Sequence, residues 1–127
     1  MTEATETRIT LPWPDAVLSP NARPHWAAKA RAVKAARQRA GWLVRVSIQQ
    51  RAKAWPRVNV AMTFCPPDTR RRDLDNIIAR HKAASDGIAD ALGIDDSLFT
   101  CTYAIGAPVK GGAVHVVLSP DHGGLSA

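Results

Sequence analysis

The sequence predicts an α/β (α+β) fold: a mixed sheet of about four strands with two helices packed on it, in the order β-α-β-α-β-β. Three observations carry this. Two stretches with a period of two, Arg8 to Trp13 and Pro56 to Pro66, flank a long segment with a helical period. A second helical segment, Ile77 to Leu92, precedes two more strand-like runs that end at Pro120. A length of 127 residues suffices for one buried core and leaves no room for a second domain, so residues 1–127 read as one unit with flexible tails at 1–7 and 121–127.

The first strand, RITLPW, alternates polar and apolar residues and is ended by Pro12 and Pro14. The chain up to Trp26 is then loop chemistry, with prolines at 14, 20 and 24. From His25 to about Gln50 an alanine-rich segment places Trp26, Ala30, Val33, Ala36, Ala40, Leu43 and Val44 at helical spacing. Trp26 and Trp42 read as core residues, and Gly41 as a point where the helix bends. Pro56 to Pro66 directs Val58, Val60, Met62 and Phe64 inward as a strand. Asp75-Asn76 opens the second helix and Gly93 stops it. SLFTCTYAIGAP and GGAVHVVLSP read as two strands joined in a hairpin at Val109-Lys110-Gly111-Gly112.

The net charge is +6, and its distribution says more than its total. Ten Lys or Arg and no acid lie between Ala16 and Pro67, whereas seven of the eleven carboxylates lie between Asp68 and Asp96. A field of one sign points to an anionic partner, most simply nucleic acid. No apolar run approaches the roughly 18 residues of a membrane span, and MTEATETR is acidic rather than signal-like, which gives a cytoplasmic protein with no membrane partner. Cys65 and Cys101 lack metal-ligand spacing and read as buried free thiols.

Chemistry concentrates between Arg70 and Asp96. On an extended approach with Leu74 inward, Asp73 and Asp75 leave the chain on one side, and such a pair calls for a proton, an arginine or a metal ion. Arg70, Arg71 and Arg72 either neutralise these acids or grip phosphates. Asp95-Asp96 lies about 25 to 30 Å from Asp75 along the helix, so only tertiary folding or a second subunit joins the acids. Lys82, two turns after Asp75, projects from nearly the same face, or else pairs with Asp86. His81 reads as bystander surface. Lys29, Lys34 and Arg37 fall largely off the apolar stripe, and Asn21 and Arg23 lie in the first loop. All five are candidates for phosphate contact. Carboxylates beside a basic field suit phosphodiester cleavage in which Mg²⁺ activates water.

The run RRRDLDN at Arg70 to Asn76, the Asp95-Asp96 pair some twenty residues later, LPWP at Leu11 to Pro14 and the Lys110-Gly-Gly turn together resemble the RusA family of Holliday-junction resolvases, from about Arg8 to Pro120. The resemblance implies a homodimeric crossover junction endodeoxyribonuclease of phage or prophage type. Such an enzyme needs Mg²⁺ or Mn²⁺ and resolves four-way DNA junctions by paired symmetric nicks in recombination and repair. Asp73, Asp75 and Asp96 then become the catalytic metal ligands, with Asp95 in support. The family's lysine falls at Ala79, and Lys82 stands in for it. Arg70, Arg71, Arg72, Lys29, Lys34, Arg37, Lys110, Asn21 and Arg23 would hold the branched DNA. The alternatives are a non-catalytic basic DNA-binding protein and a related nuclease acting on forks or flaps.

Overall fold

Every second residue of Val58–Cys65 is valine, methionine or phenylalanine, and this strand, β2, lies inside the sheet with Val58, Val60, Met62 and Phe64 on one buried face. The computed structural model describes residues 6–23, 25–48 and 55–121, apart from the side chain of Asp96. The other elements are β1 (Thr7–Pro12), α1 (Trp26–Ile48), α2 (Leu74–Arg80), α3 (Lys82–Leu92), β3 (Phe99–Ile105) and β4 (Ala113–Pro120). The four strands form one mixed sheet in the order β1-β4-β2-β3. β3 runs parallel to β2, while β4 is antiparallel to both β1 and β2.

Ile9 and Leu11 of β1 and Val114, Val116 and Leu118 of β4 continue the buried face. The cover comes from Ala40, Val44 and Ile48 of α1, Ile77 of α2, and Ala84, Ile88 and Leu92 of α3. The architecture is therefore two layers, as the sequence predicts, but with three helices in place of two.

The predicted helix Ile77–Leu92 is in fact two. His81, at φ −94° and ψ 2°, divides α2 from α3, and its N–H is shared between the carbonyls of Ile77 and Ile78 at 3.0 and 3.1 Å. The break leaves Ile77 before it and Ile88 after it in the same core. Gly93 does end α3, in the left-handed conformation at φ 66°.

The expected hairpin between the last two strands is absent, because β2 lies between them. Their connection crosses the end of β2, where Gly106 N–H donates to Phe64 O and Val109 N–H to Pro66 O, each at 2.9 Å. A helical crossover through α2 and α3 makes β3 the parallel neighbour of β2 instead.

The buried residues of α1 are Ala40, Gly41, Val44 and Ile48. Trp42 lies about 200° round the helix from Ala40, at 100° per residue, and is 60% exposed, while Trp26 in the first turn is 77% exposed. Both tryptophans are surface residues, against the sequence expectation. Gly41 lies within one unbroken α1 and packs against α3, where a Cβ would come within 3.2 Å of Gly87 O. The predicted end of α1 near Gln50 lies outside the described residues. Cys65 is a buried thiol as expected, but Cys101, on the edge strand β3, is exposed.

Candidate functional site

The arginine run is organised by Asp68. Its carboxylate accepts from the backbone N–H of Arg70 at 3.0 Å, from Arg72 Nη1 at 2.8 Å and, more loosely, from the Arg70 guanidinium. Arg72 first and Arg70 second hold the Asp68 carboxyl far below the usual carboxylate range. Arg72 also bonds the carbonyls of Asp68 and Arg70, and its guanidinium lies 5.7 Å from the Trp13 ring centre. It is an internal strut of the loop. Arg71 is exposed, with no ion pair among the described residues.

Leu74 opens α2, so Asp73 and Asp75 do not flank an extended strand as the sequence suggests. Asp73 is the N-cap, extended at φ −91° and ψ 121°, and its Oδ1 accepts from the Asp75 N–H at 3.1 Å. Asp75 sits in the first turn, where the helix dipole favours an anion. Asp73→Ala is expected to cost about 1 kcal/mol through loss of this cap, measured as a shift in the urea midpoint.

The break at His81 also changes the geometry for Lys82, which belongs to α3 rather than to a continuation of α2. Lys82 Nζ lies 3.2 Å from Asp86 Oδ1 on an exposed face, the ion pair that the spacing offered as its alternative. Ala79 is exposed on α2. Asp95 is exposed and caps the short turn Asp96–Leu98 by accepting from the Ser97 N–H at 3.2 Å. Among the described residues no three His, Cys, Asp or Glu side chains gather as a metal site, and the Asp96 side chain is not among them. Lys29 and Lys34 are exposed on α1, Lys110 at its turn, and Asn21 and Arg23 in the first loop. Arg37 instead forks onto Asp90 of α3, with Nε and Nη2 at 2.6 and 3.0 Å from the two oxygens. That bond pushes the Asp90 carboxyl pKa down.

About 270 Å³ opens between the segment Leu11–Leu18, α1 and the α2–α3 break, and Asp15, Arg39, Arg80 and His81 are its polar lining. Arg80 also lines a 160 Å³ cleft with Trp13, Arg72 and Asp73, and a 260 Å³ cleft with Lys29 and Lys82. Arg80 Nε donates to the Asp15 carbonyl at 3.1 Å, and burial pulls the guanidinium pKa down. His81 is 3% exposed rather than bystander surface, with the Phe64 ring edge-on at 5.4 Å and no hydrogen-bond partner for Nε2. The signal was present, since Ile77, His81, Ala84 and Ile88 follow helical spacing and put the imidazole on the apolar stripe.

Burial pushes the His81 pKa down to about 4 from its ordinary value of 6.5. The unfolded chain therefore binds a proton between those values that the folded chain refuses, and stability falls as pH falls from 6.5 toward 4. A loss of about 2 kcal/mol between pH 7 and pH 5 is expected from this group. Urea titrations at the two pH values check it. In His81→Phe that part of the difference disappears.

No family model matches the chain. A protein of Xylella fastidiosa (strain Temecula1 / ATCC 700964), described only as an uncharacterized protein, is 46% identical over 99 residues. The match covers 72% of this chain and 61% of that protein, so the chain spans less than two thirds of this relative. Among solved structures, a periplasmic domain of Helicobacter pylori MotB is similar at TM-score 0.48 and 14% identity, covering 98% of this chain and 83% of that one. The OmpA-like domain of FopA1 from Francisella tularensis is similar at 0.42 and 13%, covering 94% and 78%. No comparison supports the expectations of a junction-resolving endonuclease, of an enzyme, or of branched DNA as partner, which are set aside, and none favours the fork or flap nuclease or the non-catalytic DNA binder. Likenesses this distant assign no ligand to the chain in their place.

Proposed function

We propose that the chain is a binding domain for a carboxylate-rich protein surface and that it works as a homodimer. One observation carries the first part. Lys29, Arg31, Lys34, Arg39 and Arg45 of α1 have no ion pair among the described residues, and all are exposed. Arg37, on the same helix, forks onto a carboxylate of its own chain, the geometry its unpaired neighbours offer to acids from outside. A labelled polyglutamate peptide is expected to bind at about 50 mM salt and to weaken at least tenfold at about 300 mM, as screening demands. Reversing two charges, Lys29→Glu with Lys34→Glu, abolishes the binding. Equal binding by that variant would sink the reading.

The dimer is supported by β3. This edge strand, FTCTYAI, carries no charge or proline, and six of its seven residues are exposed, including Tyr103 and Ile105. Bare edges of that kind pair with other strands unless something blunts them. Antiparallel pairing of two β3 strands would join two sheets across a twofold axis. Sedimentation equilibrium is expected to give a dimer for the parent and a monomer for Tyr103→Lys. A parent that is monomeric at all concentrations rules the pairing out.

Mg²⁺ at Asp73, Asp75 and Asp96 stays within the proposal, supported by the exposure of both Asp73 and Asp75 at the start of α2. Amide resonances of residues 73–76 that do not move on Mg²⁺ titration would remove it.

A further inference from the structure

We infer that the cavity beside the α2–α3 break binds a small aromatic carboxylate. Size comes first. At about 270 Å³ the space suits one substituted ring. The walls are apolar where Trp13, Leu18 and Ala36 line it and cationic where Arg39 and Arg80 do, while the Asp15 carboxylate, also on the wall, already accepts from the Val17 N–H at 3.0 Å. An apolar body with one anionic end matches that division.

The two guanidiniums supply the anchor. Arg80 donates to the Asp15 carbonyl, and burial is the largest influence on its pKa. Arg39 has no ion pair among the described residues. A partly desolvated guanidinium gains more from a carboxylate than one in open water, and the fork accepts both oxygens. His81 lines the same cavity, but its Nε2 is closed off from it, so the ring offers a wall rather than a hydrogen bond. The site shares Arg39 with the basic surface of α1 but uses neither Lys29 nor Lys34, so its test does not depend on that reading.

The experiment is calorimetric titration of the intact protein with sodium benzoate, followed in parallel by the amide resonances of Arg80 and His81. Saturable one-to-one binding is expected. The neutral benzamide is expected to bind at least tenfold more weakly. Arg80→Gln is expected to lose at least tenfold in affinity. Arg39, exposed on α1, can be changed to glutamine without disturbing packing, so Arg39→Gln decides the matter if the Arg80 variant does not fold. No saturation by about 10 mM ligand, or amide binding equal to that of the carboxylate, overturns the inference. So would undiminished affinity in both arginine variants.

Discussion

Phe64→Ala is expected to lower stability by about 3–5 kcal/mol, a large share of the roughly 5–15 kcal/mol that holds a domain of this size. Phe64 is fully buried near the end of β2, opposite Val114 of β4 and Ile105 of β3. With strands bonded on both sides, the backbone cannot collapse into the void, so the cavity cost adds to the lost transfer energy. The ring also stacks on Tyr103 at 6.3 Å and meets His81 edge-on at 5.4 Å. Truncation therefore loosens the surroundings of His81 as well, and the drop in stability between pH 7 and pH 5 should become shallower in the variant. Urea unfolding at both pH values measures the two effects together. A loss below about 1 kcal/mol at neutral pH would mean that the ring is not the centre of this core.

Gly87→Ala is expected to cost about 3 kcal/mol, although alanine is the better helix former by about 1 kcal/mol. The reason is the approach of α3 to α1. A Cβ at Gly87 would overlap the carbonyl oxygen of Arg37 and lie 2.9 Å from its carbonyl carbon. Backbone cannot move aside as a flexible side chain can, so the helices must separate. Separation would also stretch the bond between Arg37 and Asp90, and would change the wall of the cavity beside Arg39. Thermal unfolding checks the first consequence, and ligand titration the second. Unchanged or raised stability would show that the two helices have slack between them.

What the sequence made legible was whatever depends on local period. β2 and β4 follow from alternation, α1 from its alanines, and the end of α3 from Gly93. Long-range pairing was not legible. The Lys110-Gly-Gly turn has hairpin chemistry, and only the competition of β2 for both neighbouring positions shows that the last two strands are not partners. The tryptophans were assigned by hydrophobicity, whereas the buried stripe of α1 runs through Ala40, Val44 and Ile48, and Trp42 is carried to the far side by angle alone. His81 was assigned by polarity, although its spacing from Ile77 and Ile88 already placed it on the inner face. Arg80 is the harder case. Its interest comes from three cavities that meet around one side chain, and those depend on how the Leu11–Leu18 segment folds across α1 and α2. No spacing within the α2 segment encodes that.

Strand β1 pairs only with β4, so Thr7 meets Leu118 more than a hundred positions away. During synthesis the first strand must wait beside the ribosome, its apolar face uncovered, until the last one has emerged. The helices and β2 can associate earlier, since their contacts are closer in sequence. The two ends of the described chain thus close the structure last. A protein cut short before β4 would lose two strands of its sheet at once, with Ile9 and Leu11 left as an adhesive segment for holdase chaperones or for other unfinished chains.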